Sequence, residues 1–336
     1  MVIQHVDICC GLNWGDEAKG KVIACLAKSG KYDMVCRWAG GNNAGHTIYK
    51  DGHKYKTHLV PCGIFYNVPS IIGPDCVVNV ESFFHEVDYL KGCGFDTSYI
   101  KISPKAHIVT TQHIDEDKKN YSGQGTTCRG IAPCYRDKYA RVGIRAKDVD
   151  ALRDFMWDEE LSGTILCEGA QGFWLDITRG NYPYVTSSTT LPYGACSLGF
   201  APQHIRNIYG ATKIYDTRSG IDPDFPEELL DDAELARVGD VGREYGTTTG
   251  RRRKVQWLNL DKLMEAIRIS GTTIVIISKM DVLEEVGLYK LIYDGRIEKC
   301  ESMEAMKRFI SAVITDDGYF VKKILFSSDV ETVQGI

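Results

Sequence analysis

A chain of 336 residues can bury the core of one large or two ordinary domains. Its composition, 43% hydrophobic and 25% charged, is that of a soluble globular protein, and a net charge of −5 argues against nucleic acid or an anionic membrane as the main partner. No apolar run approaches the roughly 18 residues of a membrane span, and the opening MVIQHVDICCGL has neither a basic flank nor a small-residue cleavage site, so it reads as a strand of a cytoplasmic protein.

Strand and helix patterns then alternate. A strand is predicted over 2–10, a helix over 19–28 and a second strand over 33–38, which ends in the glycine-rich AGGNNAGHT. SIIGPDCVVNV reads as strand and turn, and 81–91 as an amphipathic helix. The stretch 122–148 is too polar and glycine-rich for a core element and too long for a passive connector. A helix over 149–157 and strands over 164–167 and 205–215 follow, with the polar loop EGAQGFWLDITRGNYPYVTSSTT between the two strands. After the loop REYGTTTGRRRK come a helix over 258–270, a strand over 272–278, a helix over 302–315 and a strand over 323–327. The alternation predicts a single α/β domain over 1–336, with a P-loop-like, mainly parallel central sheet flanked by helices and carrying long functional loops. The twelve cysteines are scattered without a CxxC pair, and Cys9, Cys10 and Cys167 lie in strand-like apolar runs, so buried reduced thiols are expected. Cys128 and Cys134 have no nearby histidine and are assigned no metal.

GLNWGDEAKGKV places Gly15, four residues, then Gly20 and Lys21, as in a P-loop, but Val22 stands where Ser or Thr would help hold magnesium. Backbone N–H groups at a helix start and the charges of Lys19 and Lys21 suit phosphate. The acids Asp16 and Glu17 do not, unless one binds Mg2+ or takes a proton beside the γ-phosphate. The plainer alternative is that Asp16 caps the helix. His46 follows the second strand in a polar loop beside Asn43, a place where α/β sheets put active-site groups, although a lone loop histidine is often incidental. In TTIVIISKMD a buried strand precedes Lys279 and Asp281, the Lys-x-Asp spacing of a guanine reader. Arg251, Arg252, Arg253 and Lys254 form either a solvated charge run or, packed behind three threonines and Gly250, a site for carboxylates or phosphates.

Seven motifs in one order, WGDEAKGK, GNNAGHT, GTTCRGIAP with DKYAR, EGAQG with YPYVTSS, DTRSG with FPEE, YGTTTGRRR and SKMD, span most of the chain from Gly11 to Asp281 and resemble the adenylosuccinate synthetase family. The resemblance implies a ligase that joins L-aspartate to C6 of a 6-oxopurine nucleotide with a nucleoside triphosphate and Mg2+. It implies Asp16 as the base on purine N1 and, with the Gly45 carbonyl, as metal ligand. His46 is implied as the general acid at the transferring phosphoryl group. Asn43, Thr127, Gln171, Thr186, Ser219 and Gly220 would hold the purine nucleotide, and Arg141 would reach it from a neighbouring subunit of a homodimer. Thr248, Thr249, Arg251 and Arg253 would bind aspartate. Gly15, Glu17, Lys19, Gly20 and Lys21 would line the triphosphate, with Lys279 and Asp281 on its base.

The chain also departs from the family pattern. Asn13 replaces a usual Gln, Ala18 a usual Gly, and Ser219 a usual Val next to the substrate base. GIDPDFPEE is one residue longer and adds Asp222 and Asp224, either of which could accept a hydrogen bond from a 2-amino group. The stretch between 148 and 167 is short, and the tail FSSDVETV lacks the usual Gly-Pro that closes on the triphosphate base, which predicts acceptance of ATP or dATP beside GTP. A compact chain with bacterial loops and an altered base pocket resembles the phage branch, whose members use dGMP and lead to 2-aminoadenine in DNA. Asp16, which some phage members replace, is present here. IMP is the alternative substrate. Rival classes are a P-loop switch protein, which needs Ser or Thr after Lys21 and has no use for TTTGRRR, and a nucleoside monophosphate kinase, which needs a complete P-loop.

Overall fold

The near-continuous apolar run from Val6 to Leu12 is the pattern of a strand covered on both faces. A computed structural model, which describes residues 2–246, 250–317 and 320–336, places it as β1 (Ile3–Gly11) inside a parallel sheet. The strands that follow are β2 (Met34–Gly40), β3 (His46–Lys50), β4 (His53–Thr57), β5 (Ser70–Val78), β6 (Ile100–Ile102), β7 (His107–Ile108) and β8 (Gly163–Glu168). After them come β9 (Ile205–Lys213), β10 (Tyr215–Arg218), β11 (Lys254–Asn259), β12 (Ile274–Ser278), β13 (Lys290–Tyr293), β14 (Arg296–Lys299) and β15 (Lys323–Ser327). The helices are α1 (Lys19–Lys28), α2 (Val80–Gly92), α3 (Thr111–Asn120), α4 (Ile131–Ala140), α5 (Ala233–Val241), α6 (Leu260–Ser270), α7 (Met280–Val286) and α8 (Met303–Asp316).

Among the described residues nine strands form the main sheet, in the order β15-β12-β9-β1-β8-β2-β5-β6 with β7 also on β5, and every pairing is parallel. The expected α/β fold is therefore the observed one. Parallel strands bring their carboxyl ends to one edge, where ligands bind in open α/β sheets. Here that edge carries Gly11, Gly40, Glu168, Lys213 and Ser278. Apolar residues of both sheet faces pack into two large clusters, one around Ile8, Trp38 and Phe173 and one around Ile23, Ile72 and Phe83. No helix of the described residues is long and apolar enough to cross a membrane. All twelve cysteines are free, and burial pushes thiols such as Cys10 up to about 12, which makes them poor nucleophiles.

Several boundaries differ from the sequence reading, each for a tertiary reason. The run 205–215 is two strands: the N–H of Ile214 donates to Ser278 O at 3.0 Å, and beyond it β10 leaves the main sheet to pair antiparallel with β11. That pairing starts a second sheet, β10-β11-β13-β14, which local patterning did not foretell. The helix expected over 149–157 is only a short 3-10 segment, Asp150–Phe155, because Met156 bridges Ile102 and the Trp157 N–H donates to Ile102 O. The polar stretch 122–148 contains α4, whose Ile131, Cys134 and Tyr135 are buried against Val77 and Val109. The helix expected from residue 258 starts at Leu260, since Leu258 and Asn259 pair with β13 and the Asn259 side chain caps the helix at Lys262 N.

Candidate active site

Between β1 and α1 the chain turns tightly, with Gly15, Asp16 and Ala18 in the left-handed region at φ 90°, 59° and 64°. This conformation costs a residue with a Cβ about 1–2 kcal/mol, which explains why glycine is usual at position 18. Asp16 does not cap α1: the N-cap is Ala18, without a side-chain hydrogen bond. Glu17 is the loop's internal brace. Its carboxylate, 1% exposed, accepts from Gly15 N at 2.8 Å, Asn13 N at 3.2 Å and Lys19 Nζ at 2.5 Å. A side chain at Gly11 or Gly172 would overlap that carboxylate, so these two glycines are required by close approach. Glu17 and Lys19, both expected to line the triphosphate, form an ion pair with each other in this structure. Lys21 turns to the C-terminal tail, donating to Ser327 Oγ and to Asp329 O, both at 2.9 Å, and burial pulls its ammonium down to about 8.

His46 opens β3 beside this loop; Gly20 admits it, since a Cβ there would lie 3.1 Å from the His46 Cβ. Its Nδ1 is 2.6 Å from Glu168 Oε1, while Glu168 Oε2 accepts the Cys62 N–H at 2.7 Å. Burial alone would raise the Glu168 carboxyl, but His46, Arg37 and the Cys62 N–H together hold it below its usual value. An ionised carboxylate only accepts, so Nδ1 carries the proton and Nε2 is the ring nitrogen left to accept or donate elsewhere. Burial lowers the His46 pKa, opposed by Glu168. Glu168 was missed in the sequence reading; its signal is a lone acid closing a buried strand. His46, Cys62 and Glu168 also form a tight cluster of metal-binding residue types, but each of the two Glu168 oxygens already has an N–H partner.

On the opposite side, the Arg253 Nη2 lies 2.9 Å from Asp16 Oδ2, and Nη1 donates to Glu244 Oε2 at 2.5 Å. Glu244, 1% exposed, also accepts from Lys213 Nζ at 3.1 Å and from Tyr215 Oη at 2.7 Å. Burial would raise its carboxyl, yet Lys213 and Arg253 hold it down to about 2. Arg251 is exposed, and its carbonyl accepts the Gly246 N–H at the mouth of the same loop. Thr248 and Thr249 lie outside the described residues.

Three of the candidate nucleotide residues have a buried side-chain atom without a hydrogen-bond partner: Gln171 Oε1, Thr186 Oγ1 and Ser219 Oγ. A buried polar atom without a protein partner is open to a hydrogen bond from a polar ligand or water. Gln171 sits at φ 54°, with its side-chain oxygen against Gly40, where a Cβ would be 3.2 Å away. The loop holding Thr127 meets the Ser219–Gly220 turn, since a Cβ at Gly125 would lie 3.2 Å from Ile221 N and 3.8 Å from Gly220 Cα. Asn43 Oδ1 accepts the Gly41 N–H at 3.1 Å. Asp224 is taken up by Asn181 Nδ2 and Lys262 Nζ, both at 2.7 Å, whereas Asp222 accepts from Asn181 Nδ2 on Oδ1 and keeps Oδ2 buried without a hydrogen bond, 3.5 Å from Arg218 Nε. Arg141 is exposed at the end of α4 beside exposed Tyr139 and Val142. At the next strand end Lys279, φ 72°, donates to Gly242 O at 2.9 Å, and Asp281 is exposed in the first turn of α7.

The family model described as adenylosuccinate synthetase matches residues 8–164 and 152–309. This chain belongs to the adenylosuccinate synthetase family. Among relatives, the adenylosuccinate synthetase of Lysinibacillus sphaericus is 37% identical, over 84% of this chain and 78% of its own. That of Shouchella clausii is 38% identical over the same shares. The fully ligated adenylosuccinate synthetase of Plasmodium falciparum superposes with a TM-score of 0.80 at 29% identity, over 97% of this chain and 98% of its own. The cyanophage S-2L succinoaminodeoxyadenylate synthetase bound to dGMP and dATP shares the fold, with a TM-score of 0.69 over 92% and 99% of the two chains, at 19% identity. As an adenylosuccinate synthetase family member, the chain is a carbon–nitrogen ligase of the GTP-using type that joins aspartate to a purine nucleotide.

Proposed function

We propose that this ligase joins L-aspartate to C6 of IMP with GTP, through a 6-phosphoryl intermediate, and releases adenylosuccinate, GDP and phosphate. The relatives at 37–38% identity support IMP. The observation that carries the chemistry is the contact of Asp16, in the phosphate loop, with Arg253, in the loop suited to a dicarboxylate. Two motifs distant in sequence meet where phosphoryl transfer and amine attack must be joined.

In this mechanism Asp16 takes the purine N1 proton, and O6 attacks the γ-phosphorus as the bond to the β–γ bridging oxygen breaks. His46 is oriented through Nδ1–H by Glu168 and presents Nε2 to the transferring group. Burial keeps its pKa low, and an arriving anionic phosphate raises it, so the imidazole gains its charge where it is used. The aspartate amine then attacks C6 and expels phosphate, a far better leaving group than the original oxygen. Enzymes of this family use Mg2+, and the Asp16 carboxylate with the Gly45 carbonyl supplies hard oxygen donors of the kind Mg2+ takes. When bound there it would neutralise charge on the phosphate oxygens.

A second reading, dGMP as the nucleotide, is favoured by one observation: Ser219 Oγ is buried and unpaired. A 2-amino group needs such an acceptor, because a buried unpaired donor costs about 1–3 kcal/mol. For the triphosphate, Lys279 and Asp281 support GTP, while a tail anchored on Lys21 without a Gly-Pro loop supports ATP or dATP as well. Exposed Arg141, Tyr139 and Val142 support a homodimer that donates Arg141 across the interface.

Aspartate-dependent phosphate release, measured with IMP, GMP and dGMP, each with GTP, ATP and dATP, tests these readings together. Turnover of IMP with no activity on dGMP establishes the main reading. A higher kcat/KM for dGMP that Ser219→Val shifts toward IMP establishes the second. Phosphate release that ignores aspartate in every combination overturns both.

A further inference from the structure

We propose that Asp117 on α3 is a positioning residue for the purine nucleotide: its buried carboxylate fastens both ends of the segment 126–130 and so sets Thr127 before the nucleotide arrives. The inference rests on the ligase reading above, with Thr127 as one of its nucleotide contacts.

A surface helix ordinarily holds its place by an apolar stripe turned to the core. α3 has no such stripe. Its sequence, TQHIDEDKKN, is strongly polar, and the residues it buries are His113 and Asp117, one turn apart on one face, with Ile114 half-buried beside them. What this helix turns inward is therefore polar, and each group has a task. His113 Nδ1 accepts the Thr110 N–H at 3.1 Å, and its Nε2 lies 3.1 Å from Asp137 Oδ2 on α4. That contact sets α3 against α4. Asp117, 2% exposed, serves the loop between the two helices.

Its two oxygens take different ends of the segment. Oδ1 accepts the Thr126 hydroxyl at 2.9 Å, and Oδ2 accepts the Gly130 N–H at 2.8 Å. Thr126 passes the bond on, its Oγ1 accepting the Cys128 N–H at 2.8 Å. Thr127 thus stands between residues tied to one carboxylate. The tie is needed, because Cys128 is held in the left-handed region at φ 54°, where a residue with a Cβ is uncommon. It is also needed at the start of α4. The N-cap there is Gly130, which has no side chain to offer, and the third helical residue is Pro133, where a capping box would place an acid. Asp117 supplies that carboxylate from another helix.

The far side of the loop is fixed independently. Tyr135 Oη on α4 donates to Asp75 O at 2.7 Å and accepts the Gly40 N–H at 2.9 Å, which ties the helix to the ligand-binding edge of the sheet. With α3 and α4 both held, the course of the chain between them is set by Asp117. Every donor to it is neutral, so asparagine in its place would keep one acceptor and turn an NH2 against the other donor.

The test is steady-state ligation by the full chain with Mg2+, GTP, aspartate and IMP (or dGMP, whichever supports ligation), together with amide hydrogen exchange over 122–130. Asp117→Asn is expected to raise the KM of the purine nucleotide ~10-fold or more, with kcat and the other two KM values within ~2-fold of wild type. Thr126→Val, which leaves Asp117 in place, is expected to raise the same KM, and Thr126→Ser, which keeps the hydroxyl, to restore it. Exchange over 122–130 is expected to quicken ~10-fold in Asp117→Asn while β1 and α1 keep their protection. A merely loosened fold would move all three KM values and all of these amides together. A nucleotide KM within ~2-fold of wild type in both Asp117→Asn and Thr126→Val, equal rises in the three KM values, or unchanged exchange over 122–130 overturns the proposal and leaves the ligase reading standing. A wild-type chain that ligates aspartate to no purine nucleotide overturns both.

Discussion

The His46 side and the Arg253 side of the site are built on opposite plans. On the His46 side the buried acid is fully paired: Glu168 has one oxygen on the imidazole and the other on the Cys62 N–H, and nothing need rearrange for Nε2 to act. On the Arg253 side a buried donor, Nε, is left over, and the neighbouring Nη2 is ion-paired with Asp16. The difference teaches that preorganisation need not extend to the whole site. His46, proposed to meet the transferring phosphoryl group, is set in advance by Glu168. Arg253, proposed to meet the amino acid, keeps a buried Nε without a partner.

The two sides can be broken separately. Asp16→Ala removes the base and should lower kcat by ~10³-fold or more, about 4 kcal/mol of barrier, with triphosphate affinity measured by equilibrium binding as the control. Near-normal turnover would remove Asp16 from the chemistry. Glu168→Gln should cost less, ~10²-fold in kcat, because Gln must set an NH2 against either the imidazole N–H or the Cys62 N–H. Its nucleotide KM should hold, and a change confined to KM would make Glu168 a binding residue instead.

A third variant probes the clasp between the two sides. Asn13 Nδ2 donates to Asp216 Oδ1 at 2.5 Å, linking the phosphate loop to β10, and burial pushes the Asp216 carboxyl up from 3.8 to about 7. The folded pKa is above the unfolded one, so as pH rises the unfolded chain ionises first. Stability from this group is full below about pH 4 and declines up to about pH 7, by at most about 4 kcal/mol at about 1.4 kcal/mol per unit. Asp216→Asn should flatten the fall of Tm between pH 5 and pH 7, and an unchanged slope would mean that Asp216 is ionised in the fold. The smallest effect is expected at the turn itself. Ala18→Gly, at φ 64°, should raise stability by about 1 kcal/mol, read by denaturant midpoint, without changing kcat.

Local order was legible because it is written in neighbouring residues. The helix over 19–28 and the strand over 323–327 have the observed bounds, and the apolar strands between them supply the parallel sheet that puts their following loops on one edge. Asp16, His46 and the Arg251–Arg253 run stood out as candidates because glycines and polar loops at strand ends mark that edge, whereas Gln171 entered only through the family resemblance. What the sequence did not determine is which polar groups satisfy one another. Glu168 reaches His46 across the sheet, and Glu244 gathers Lys213, Tyr215 and Arg253. Glu17 turns inward to brace its own loop, and Asp224 is taken by Asn181 and Lys262. The same holds for the break in 205–215, made by one hydrogen bond to Ser278, and for the short turn at 150–155, cut off by Ile102. Propensity and periodicity act over a few residues and so appear in the sequence. A buried charge or N–H must instead find its partner wherever the fold has brought one, and only the tertiary structure decides which that is.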